Sequence, residues 1–541
     1  RNAGEDARLY LAVEAMSKFA IDLGINIPTG KDSLSMTQKY PDGTKVYSPG
    51  TVIVSAVAQV TDITKTISTT LSGKSNTSLV YIDFSACPFN LGGSSFAQAH
   101  NFIGQSVPNV EDATYFAKAF QAVQSAINNQ WIVAGHDVSA GGLITTLLEM
   151  AFSHNDVGLN INLTELPDED LTRILFSEKP AVIVETETPE LLQNMLDEAG
   201  VQSFTIGTPI MGTELNIKHN HLTYNFDIPS LRADWFRSSY LLDRKQCGED
   251  LAFERFENFS KHALNYVFPK GFSGKALDLK LRTSGEITTG IKAAIIREKG
   301  VNGDREMAYM LYLAGFDVKD VHMTDLMSGR EDLHDINLIV FVGGFSNSDV
   351  LGSAKGWAGA FKYNTQAAET LQKFYERTDT LSLGVCNGCQ LMMELNLVYP
   401  EHEARPLMQH NASHKFESGF LTVDIPENNS VMLHNLAGSR LGVFVAHGEG
   451  KFTLPLPENR YGIAGKYSFS TYPANPNGSD YDVAALVSAN GRHLVMMPHL
   501  ERAFLPWQWP WYEQTRPNDE VSPWMLAFAN AREWIKAQVL G

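Results

Sequence analysis

A glycine-flanked cysteine constrains the fold of this chain more than any other feature of its sequence. The segment Gly384–Gly388 (GVCNG) follows an apolar run, Thr380–Val385, and precedes a run with helical spacing, Gln390–Leu395. Glycines on both sides of a nucleophile permit the sharp strand-to-helix turn that holds it at the carboxyl edge of a sheet. The helix N-terminus that follows favours the thiolate form of Cys386. The pattern therefore predicts an α/β fold that presents a reactive thiol.

A histidine and a glutamate late in the chain are the partners that a catalytic thiol needs. His499 and Glu501 follow an apolar run that ends at Pro498, and residues two apart project to the same side of an extended segment. We therefore predict that His499 takes the proton of Cys386 and that Glu501 orients the imidazole. Cys389 falls one helical turn after the nucleophile, so we predict a structural role for it.

The order Cys, His, Glu on an α/β pattern resembles the class I (triad) glutamine amidotransferases. Two glycine-containing loops agree with this resemblance. Phe341–Ser346 (FVGGFS) is similar to the loop that donates an oxyanion-hole N–H in that family, and Ala446–Gly450 (AHGEG) resembles the loop that lines its glutamine pocket. The resemblance implies that Gly344 and Asn387 stabilise the oxyanion and that His447 lines the pocket.

Composition excludes several classes of function. The chain has 541 residues, enough for three or four domains, and its 44% hydrophobic and 19% charged residues are ordinary for a globular protein. A net charge of −18 without a basic stripe argues against a nucleic-acid partner, and the apolar runs are too short to span a membrane. Four cysteines do not suggest a disulfide framework, so we expect a reducing, cytoplasmic environment. The chain begins at Arg1 rather than at a methionine and runs directly into a helical pattern, so we expect an upstream portion of the same polypeptide to complete the protein.

Changes in pattern divide the chain into four predicted segments. Residues 1–70 are predicted to be the C-terminal part of a subdomain that is truncated at its N-terminus, and residues 71–225 to be an α+β subdomain. Residues 226–285 are predicted to be connecting structure, since they are not a Gly/Ser tract. Residues 286–541 alternate strand and helix patterns, which is typical of a parallel three-layer α/β fold.

The first segment contains two predicted elements and one misleading loop. Leu9–Leu23 has apolar residues at helical spacing, and Thr51–Val60 has the β-branched composition of a buried strand. The loop Gly30–Ser33 (GKDS) does not fit the P-loop pattern, because Ile25 stands where that motif needs glycine and Asp32 follows the lysine. Taken alone, the loop is predicted to be a surface turn.

Three motifs in the first half of the chain carry a second and closer resemblance. Gly30–Ser33, Leu91–Ser94 (LGGS) and His136–Gly142 (HDVSAGG) stand in the order found in the formylglycinamidine ribonucleotide synthases. In the large, single-chain form of that family, a class I glutaminase is fused behind the synthetase. The resemblance covers almost the whole chain. It implies a partial synthetase domain of the aminoimidazole-ribonucleotide-synthetase-like type, followed by the glutaminase domain.

The same resemblance implies which residues bind the nucleotide. Asp137 would hold Mg²⁺ on the phosphates of ATP, since Mg²⁺ prefers few carboxylates together with phosphate oxygens and water. Ser139 would contact the nucleotide. Gly92, Gly93 and Ser94 would bind substrate or nucleotide phosphate through backbone N–H groups. A turn that starts a helix explains these three residues equally well.

The activity implied by the resemblance belongs to purine biosynthesis. Formylglycinamide ribonucleotide, glutamine, ATP and water would become formylglycinamidine ribonucleotide, glutamate, ADP and phosphate. Two alternatives stay open. The chain could be a stand-alone thiol amidase or glutaminase with a non-catalytic N-terminal scaffold, or a regulatory ATP-binding module with a degenerate centre. The first predicts hydrolysis without nucleotide, and the second predicts that replacing Cys386 changes no turnover.

Overall fold

The computed structural model describes residues 3–31, 36–48, 50–74, 76–282, 288–513 and 515–539. The chain divides into two compact units, Arg1–Phe236 and Arg237–Gly541. The finer division into four segments stays a prediction. No helix within the described ranges is long and apolar enough to cross a membrane.

The first unit combines nine strands with seven helices in its described part. Its strands are β1 Thr37–Lys39, β2 Lys45–Tyr47, β3 Ser78–Asp83, β4 Ile132–Asp137, β5 Val157–Asn162, β6 Ala181–Thr186, β7 Ser203–Met211, β8 Glu214–His219 and β9 Leu222–Asp227. Its helices are α1 Glu5–Asp22, α2 Ser95–Ala99, α3 Ala113–Asn128, α4 Gly142–Ala151, α5 Leu171–Phe176, α6 Pro189–Ala199 and α7 Ile228–Gln246, whose last residues belong to the second unit.

A seven-stranded sheet organises the first unit, in the order β4-β6-β3-β7-β5-β8-β9. Neighbouring strands are antiparallel except for the parallel pair β5–β8. Successive side chains of a strand point to opposite faces. Leu79 and Tyr81 therefore join one hydrophobic cluster, and Val80 and Ile82 join another. Both faces of the sheet are buried, as the α+β prediction requires.

The N-terminal segment differs from its predicted structure in one respect. Helix α1 confirms the predicted helix, although it begins four residues earlier, at Glu5. Residues 51–60, all of which the structure describes, form no strand, and Val57 is 99% exposed. The predicted buried strand is wrong because a strand needs hydrogen-bonded neighbours as well as an apolar pattern. Two residues of the GKDS loop, Asp32 and Ser33, lie outside the described residues.

The second unit has eleven strands and seven further helices among its described residues. The strands are β10 Lys292–Arg297, β11 Asp317–His322, β12 Leu338–Phe341, β13 Leu381–Val385, β14 Leu407–Gln409, β15 Glu417–Asp424, β16 Arg440–His447, β17 Lys451–Thr453, β18 Gly462–Tyr467, β19 Val483–Val487 and β20 His493–Met496. The helices are α8 Glu249–Asn258, α9 Asp304–Leu313, α10 Met323–Ser328, α11 Lys355–Tyr363, α12 Thr365–Glu376, α13 Asn387–Glu394 and α14 Met525–Val539.

Nine of these strands form one sheet, in the order β11-β10-β12-β13-β20-β19-β18-β15-β16. The first five are parallel, which confirms the predicted parallel α/β core. The last four are antiparallel additions. Every residue of β12, β13 and β20 is buried. Because these three strands are parallel neighbours, the segments that leave their carboxyl ends meet at one edge of the sheet.

Candidate active site

The nucleophile position lies in the predicted tight turn. Cys386 stands between β13 and α13 with φ 51° and ψ −106°, a left-handed conformation that is uncommon for a residue other than glycine. The flanking glycines are required by close packing. A Cβ atom at Gly384 would lie 2.6 Å from the Gly388 carbonyl oxygen, and one at Gly388 would lie 1.9 Å from that of Phe341. The following helix begins at Asn387, three residues earlier than its sequence pattern predicted.

The predicted base and its orienter are in direct contact. His499 Nδ1 lies 2.7 Å from Glu501 Oε1, and both residues are 1% exposed. The backbone N–H of His499 donates to the Phe444 carbonyl at 2.8 Å, which anchors the segment to β16. The segment is not extended as predicted, because Leu500–Arg502 form a 3₁₀ turn. The turn, and not the alternation of side chains along a strand, places the Glu501 carboxylate against the imidazole of His499.

The electrostatic environment of His499 favours the imidazolium form. Burial lowers the pKa of His499. The carboxylate of Glu501 and the sulfur of Cys386 raise it by more than burial lowers it, and the resulting pKa is about 10. His499 Nε2 is buried and has no hydrogen-bond partner among the described residues. The imidazole is therefore held through Nδ1, while Nε2 remains available to a reacting group.

A glycine loop after β12 lies against the same residues. A Cβ atom at Gly343 would stand 2.8 Å from His499 Cε1 and 3.3 Å from Cys386 Cβ. Gly344 has φ 123°, and a Cβ atom there would meet the Cα atom of Val301 at 2.5 Å. The loop is held because the backbone N–H of Phe345 donates to the Gly300 carbonyl at 2.9 Å. Sequence reasoning assigned a role to Gly344 and missed Gly343, although the doubled glycine was the available signal.

Asn387 is fully buried beside the nucleophile, at the start of α13. Its Nδ2 atom donates to Gln390 Oε1 at 3.0 Å, and its Oδ1 atom accepts from the backbone N–H of Ser346 at 3.4 Å. The first N–H groups of a helix have no partner within the helix. The backbone N–H of Asn387, directly after Cys386, therefore has no partner within its own helix, and its role as an oxyanion donor stays a prediction.

His447 ends strand β16 in the same region. The Ala446 carbonyl oxygen lies 3.6 Å from Cys386 Sγ, so this end of the strand reaches the thiol. His447 is 2% exposed. Burial and the nearby positive charge of His499 lower the pKa of His447 to about 3, which keeps the ring neutral. The structure thus brings together all six residues predicted for the glutaminase site: Cys386, His499, Glu501, Gly344, Asn387 and His447.

In the first unit, the predicted metal residue is accessible. Asp137 ends β4, and its side chain is 71% exposed, with its Oδ1 atom 3.3 Å from His136 Nδ1. The described residues contain no group of three or more side chains suited to hold a metal. A single accessible carboxylate fits a Mg²⁺ site whose remaining ligands are phosphate oxygens and water. Ser139, two residues further on, is exposed on the same loop.

The other predicted phosphate ligands differ from expectation. The backbone N–H groups of Gly92, Gly93 and Ser94 donate to carbonyls of their own loop region, at 2.8, 2.5 and 3.3 Å respectively. Ser94 Oγ accepts from the N–H of Ala97 at 3.2 Å and caps α2. Each donor is already bonded in this conformation, so the structure does not favour phosphate binding through these three N–H groups, which stays a prediction. The alternative reading, a turn that starts a helix, describes the loop.

Three family models match the chain. The CobB/CobQ-like glutamine amidotransferase domain matches residues 290–535. The FGAR-AT PurM_N-like domain matches residues 1–59, and the C-terminal domain of AIR synthase related proteins matches residues 87–220.

Curated relatives match almost the whole chain. A protein of Arabidopsis thaliana named probable phosphoribosylformylglycinamidine synthase, chloroplastic/mitochondrial, is 38% identical over 99% of this chain. The phosphoribosylformylglycinamidine synthase of Homo sapiens is 37% identical over 98% of it. The chain belongs to the phosphoribosylformylglycinamidine synthase family. It spans 39% and 42% of the length of these two relatives.

The solved structures that match the chain are more distant in sequence than these relatives. The chain is similar to the structure of PurLQS from Thermotoga maritima, with a TM-score of 0.34, 21% identity, and coverage of 46% of this chain and 99% of that one. It is also similar to Thermotoga maritima PurL complexed with FGAR, with a TM-score of 0.27, 16% identity, and coverage of 31% of this chain and 30% of that one.

One contact in the synthetase-like unit had no sequence signal. Glu178 Oε1 accepts from the backbone N–H of Ser95 at 2.7 Å and from that of Gly141 at 2.9 Å. The carboxylate therefore joins the first residue of α2, directly after the LGGS segment, to the HDVSAGG segment, more than forty positions away in the sequence. A glutamate in a loop is too common for sequence alone to reveal such a bridge.

Proposed function

We propose that this chain carries the glutaminase, and part of the synthetase, of an enzyme that makes formylglycinamidine ribonucleotide from formylglycinamide ribonucleotide, glutamine and ATP. One observation carries the proposal. Cys386, the His499–Glu501 pair and the Gly343–Gly344 loop converge on the carboxyl ends of three adjacent parallel strands. That arrangement presents a thiol, a base with its orienter, and donors for an oxyanion at one point.

The first reaction is hydrolysis of glutamine. The Cys386 thiolate attacks the carboxamide carbon, and the N–H groups at Gly344 and Asn387 stabilise the resulting oxyanion by ~3–4 kcal/mol per donor. His499 holds the proton that leaves the thiol and transfers it to the departing ammonia. Water then attacks the thioester, with His499 as the base, and releases glutamate. Glu501 keeps the imidazole oriented and stabilises its charge throughout.

The second reaction uses the ammonia in the synthetase. ATP phosphorylates the amide oxygen of formylglycinamide ribonucleotide, and ammonia displaces phosphate to leave the amidine. Asp137 would hold Mg²⁺ on the nucleotide phosphates, where the ion neutralises their charge, and Ser139 would contact the nucleotide. The names of the curated relatives support these substrates. Four free cysteines among the described residues support a reducing compartment such as the cytoplasm.

Replacement of Cys386 by alanine tests the proposal. We expect the Cys386→Ala protein, assayed within its complete polypeptide, to lose glutamine-dependent amidine formation and to keep the reaction driven by added ammonia. The Cys389→Ala protein is a control, since Cys389 is fully buried in α13 and burial raises the pKa of its thiol. Retained glutamine-dependent synthesis in Cys386→Ala would contradict the coupled mechanism. Glutamine hydrolysis without any effect of ATP or ribonucleotide would instead favour the stand-alone amidase.

A further inference from the structure

Asn411 is a fully buried amide behind the proposed glutamine pocket. Its Nδ2 atom donates to the carbonyl oxygens of Lys415, at 3.0 Å, and of His447, at 2.7 Å. Its Oδ1 atom accepts from the backbone N–H of Gly450, at 3.0 Å, and lies 3.2 Å from His447 Nδ1. The side chain thus bonds to both ends of the AHGEG loop region. Its own backbone N–H adds a bond to the Gly448 carbonyl at 2.9 Å.

These contacts determine the state of the His447 ring. Both Nδ2 hydrogens are directed at carbonyl oxygens and Oδ1 receives an N–H, so exchanging the two ends of the amide would place like groups together. Because Oδ1 can only accept, His447 Nδ1 must carry the proton and Nε2 must be the bare nitrogen. His447 Nε2 is buried without a hydrogen-bond partner among the described residues.

The same loop touches the reacting thiol. Cys386 Sγ lies 3.6 Å from the carbonyl oxygen of Ala446, the residue before His447. We propose that Asn411 is a positioning residue of the glutaminase centre, which holds His447 as the neutral Nδ1–H tautomer and fixes the AHGEG loop against Cys386. This inference rests on the proposed function. It predicts an effect on chemistry that ordinary loss of stability would not produce.

A neutral His447 matters because a second cation would compete with the imidazolium of His499. Like charges in a buried site disfavour each other, so protonated His447 would lower the pKa of His499. Glu417 is the residue paired with His447 across the sheet. Its carboxylate accepts hydrogen bonds from Arg255 at 2.9 Å and from Tyr472 at 2.8 Å, so it is already engaged. The titratable and charged groups around His447 are His499, the Cys386 thiol, Lys415, Glu417 across the sheet and Glu449 along the chain.

The decisive variant is Asn411→Asp, which keeps the shape and the accepting oxygen and adds a negative charge beside His447 Nδ1, although it loses the two hydrogen bonds that Nδ2 donates. We expect His447 to become protonated and the pKa of His499 to fall in response. Glutamate release by the full chain should then show a kcat at least tenfold lower. Its pH–rate profile should have the limb governed by His499 displaced downward by one pH unit or more.

Asn475→Ala is the matched control. Asn475 is 5% exposed and also makes four side-chain hydrogen bonds, to Gly478, Ser479 and Asp482. It should lower the melting temperature without moving kcat or the pH profile. If Asn411→Asp does not fold, Asn411→Ala replaces it in the test. The imidazole of His447 is then no longer held by Asn411, so we expect kcat to fall tenfold while the pH profile stays near that of the wild type.

The outcomes separate the two proposals. A wild-type chain that neither releases glutamate nor reacts at Cys386 with a glutamine-analogue affinity label contradicts the proposed function. An active wild type, with Asn411 variants that keep its kcat and pH profile, contradicts the role of Asn411. The same conclusion follows if Asn475→Ala reproduces every change, because the effect would then be ordinary loss of stability.

Discussion

Replacing Glu501 by glutamine tests the electrostatic basis of the triad most directly. Glutamine has nearly the same shape and keeps an oxygen that can accept from His499 Nδ1, but it lacks the charge. In the wild type, burial lowers the pKa of His499, and the charges of Glu501 and Cys386 raise it to about 10. Without the carboxylate, burial should dominate. We therefore expect the pKa of His499 to fall, and the imidazole to be largely neutral at neutral pH.

The size of the effect follows from that pKa. The pKa of His499 rises from 6.5 to about 10, which corresponds to about 5 kcal/mol at 1.36 kcal/mol per pKa unit. This value is the upper limit of what the imidazolium contributes to the free energy of unfolding. Because the folded-state pKa is above the unfolded value, this contribution is fully present below pH 6.5 and is lost as the pH rises through 10. Removal of one partner from a buried pair typically costs about 3–5 kcal/mol.

Two measurements check the prediction. Urea denaturation should show Glu501→Gln destabilised by about 3–5 kcal/mol at pH 6, with the difference shrinking toward zero near pH 10. Glutamate release at pH 7 should fall on the order of 10³–10⁴-fold, as expected when a catalytic histidine loses its orienting carboxylate. A stability difference that is the same at both pH values would refute the electrostatic argument. Wild-type turnover in the variant would refute the orienting role.

Three further predictions concern other parts of the chain. Gly343→Ala should reduce glutaminase kcat by about a hundredfold or more, because its methyl group would stand 2.8 Å from the imidazole ring, whereas Gly419→Ala, with open space around it, should be neutral in the same assay. Lys179→Met should cost about 3–5 kcal/mol of stability in the first unit, measured by denaturation, because it leaves the buried Asp83 carboxylate without the ammonium that lies 2.6 Å away. Asp137→Asn should weaken nucleotide or Mg²⁺ binding in a calorimetric titration, while the glutaminase thiol still reacts with a glutamine analogue; lost labelling would show that the two functions share a site.

The local features of the site were readable from sequence because they depend on short-range geometry. The turn at Cys386 needs glycines on both sides, and the close contacts at Gly384 and Gly388 show the reason. His499 and Glu501 lie two residues apart and are in contact as predicted, although the segment forms a 3₁₀ turn and is not extended. A prediction based on residue spacing can thus succeed when its assumed backbone is wrong.

Elements that depend on distant neighbours were not readable in the same way. The apolar pattern of Thr51–Val60 predicted a buried strand, but a strand forms only where another strand supplies hydrogen bonds. The LGGS loop offered three N–H groups to a phosphate, and the fold closed all three on nearby carbonyls. In both cases the sequence gives the chemistry of the groups, and the tertiary structure decides what they bond to.

Sequence patterns alone predicted the turn at Cys386, the pairing of His499 with Glu501 and the parallel α/β core beneath them. The turn at Cys386 and the alternating strand and helix patterns are local properties, which sequence spacing records. The three-dimensional fold was needed to show that Gly343 packs against the imidazole, that Glu178 bonds to both Ser95 and Gly141, and that Asn411 contacts His447. Each of these contacts joins residues far apart in the chain, so it exists only once the sheets have formed.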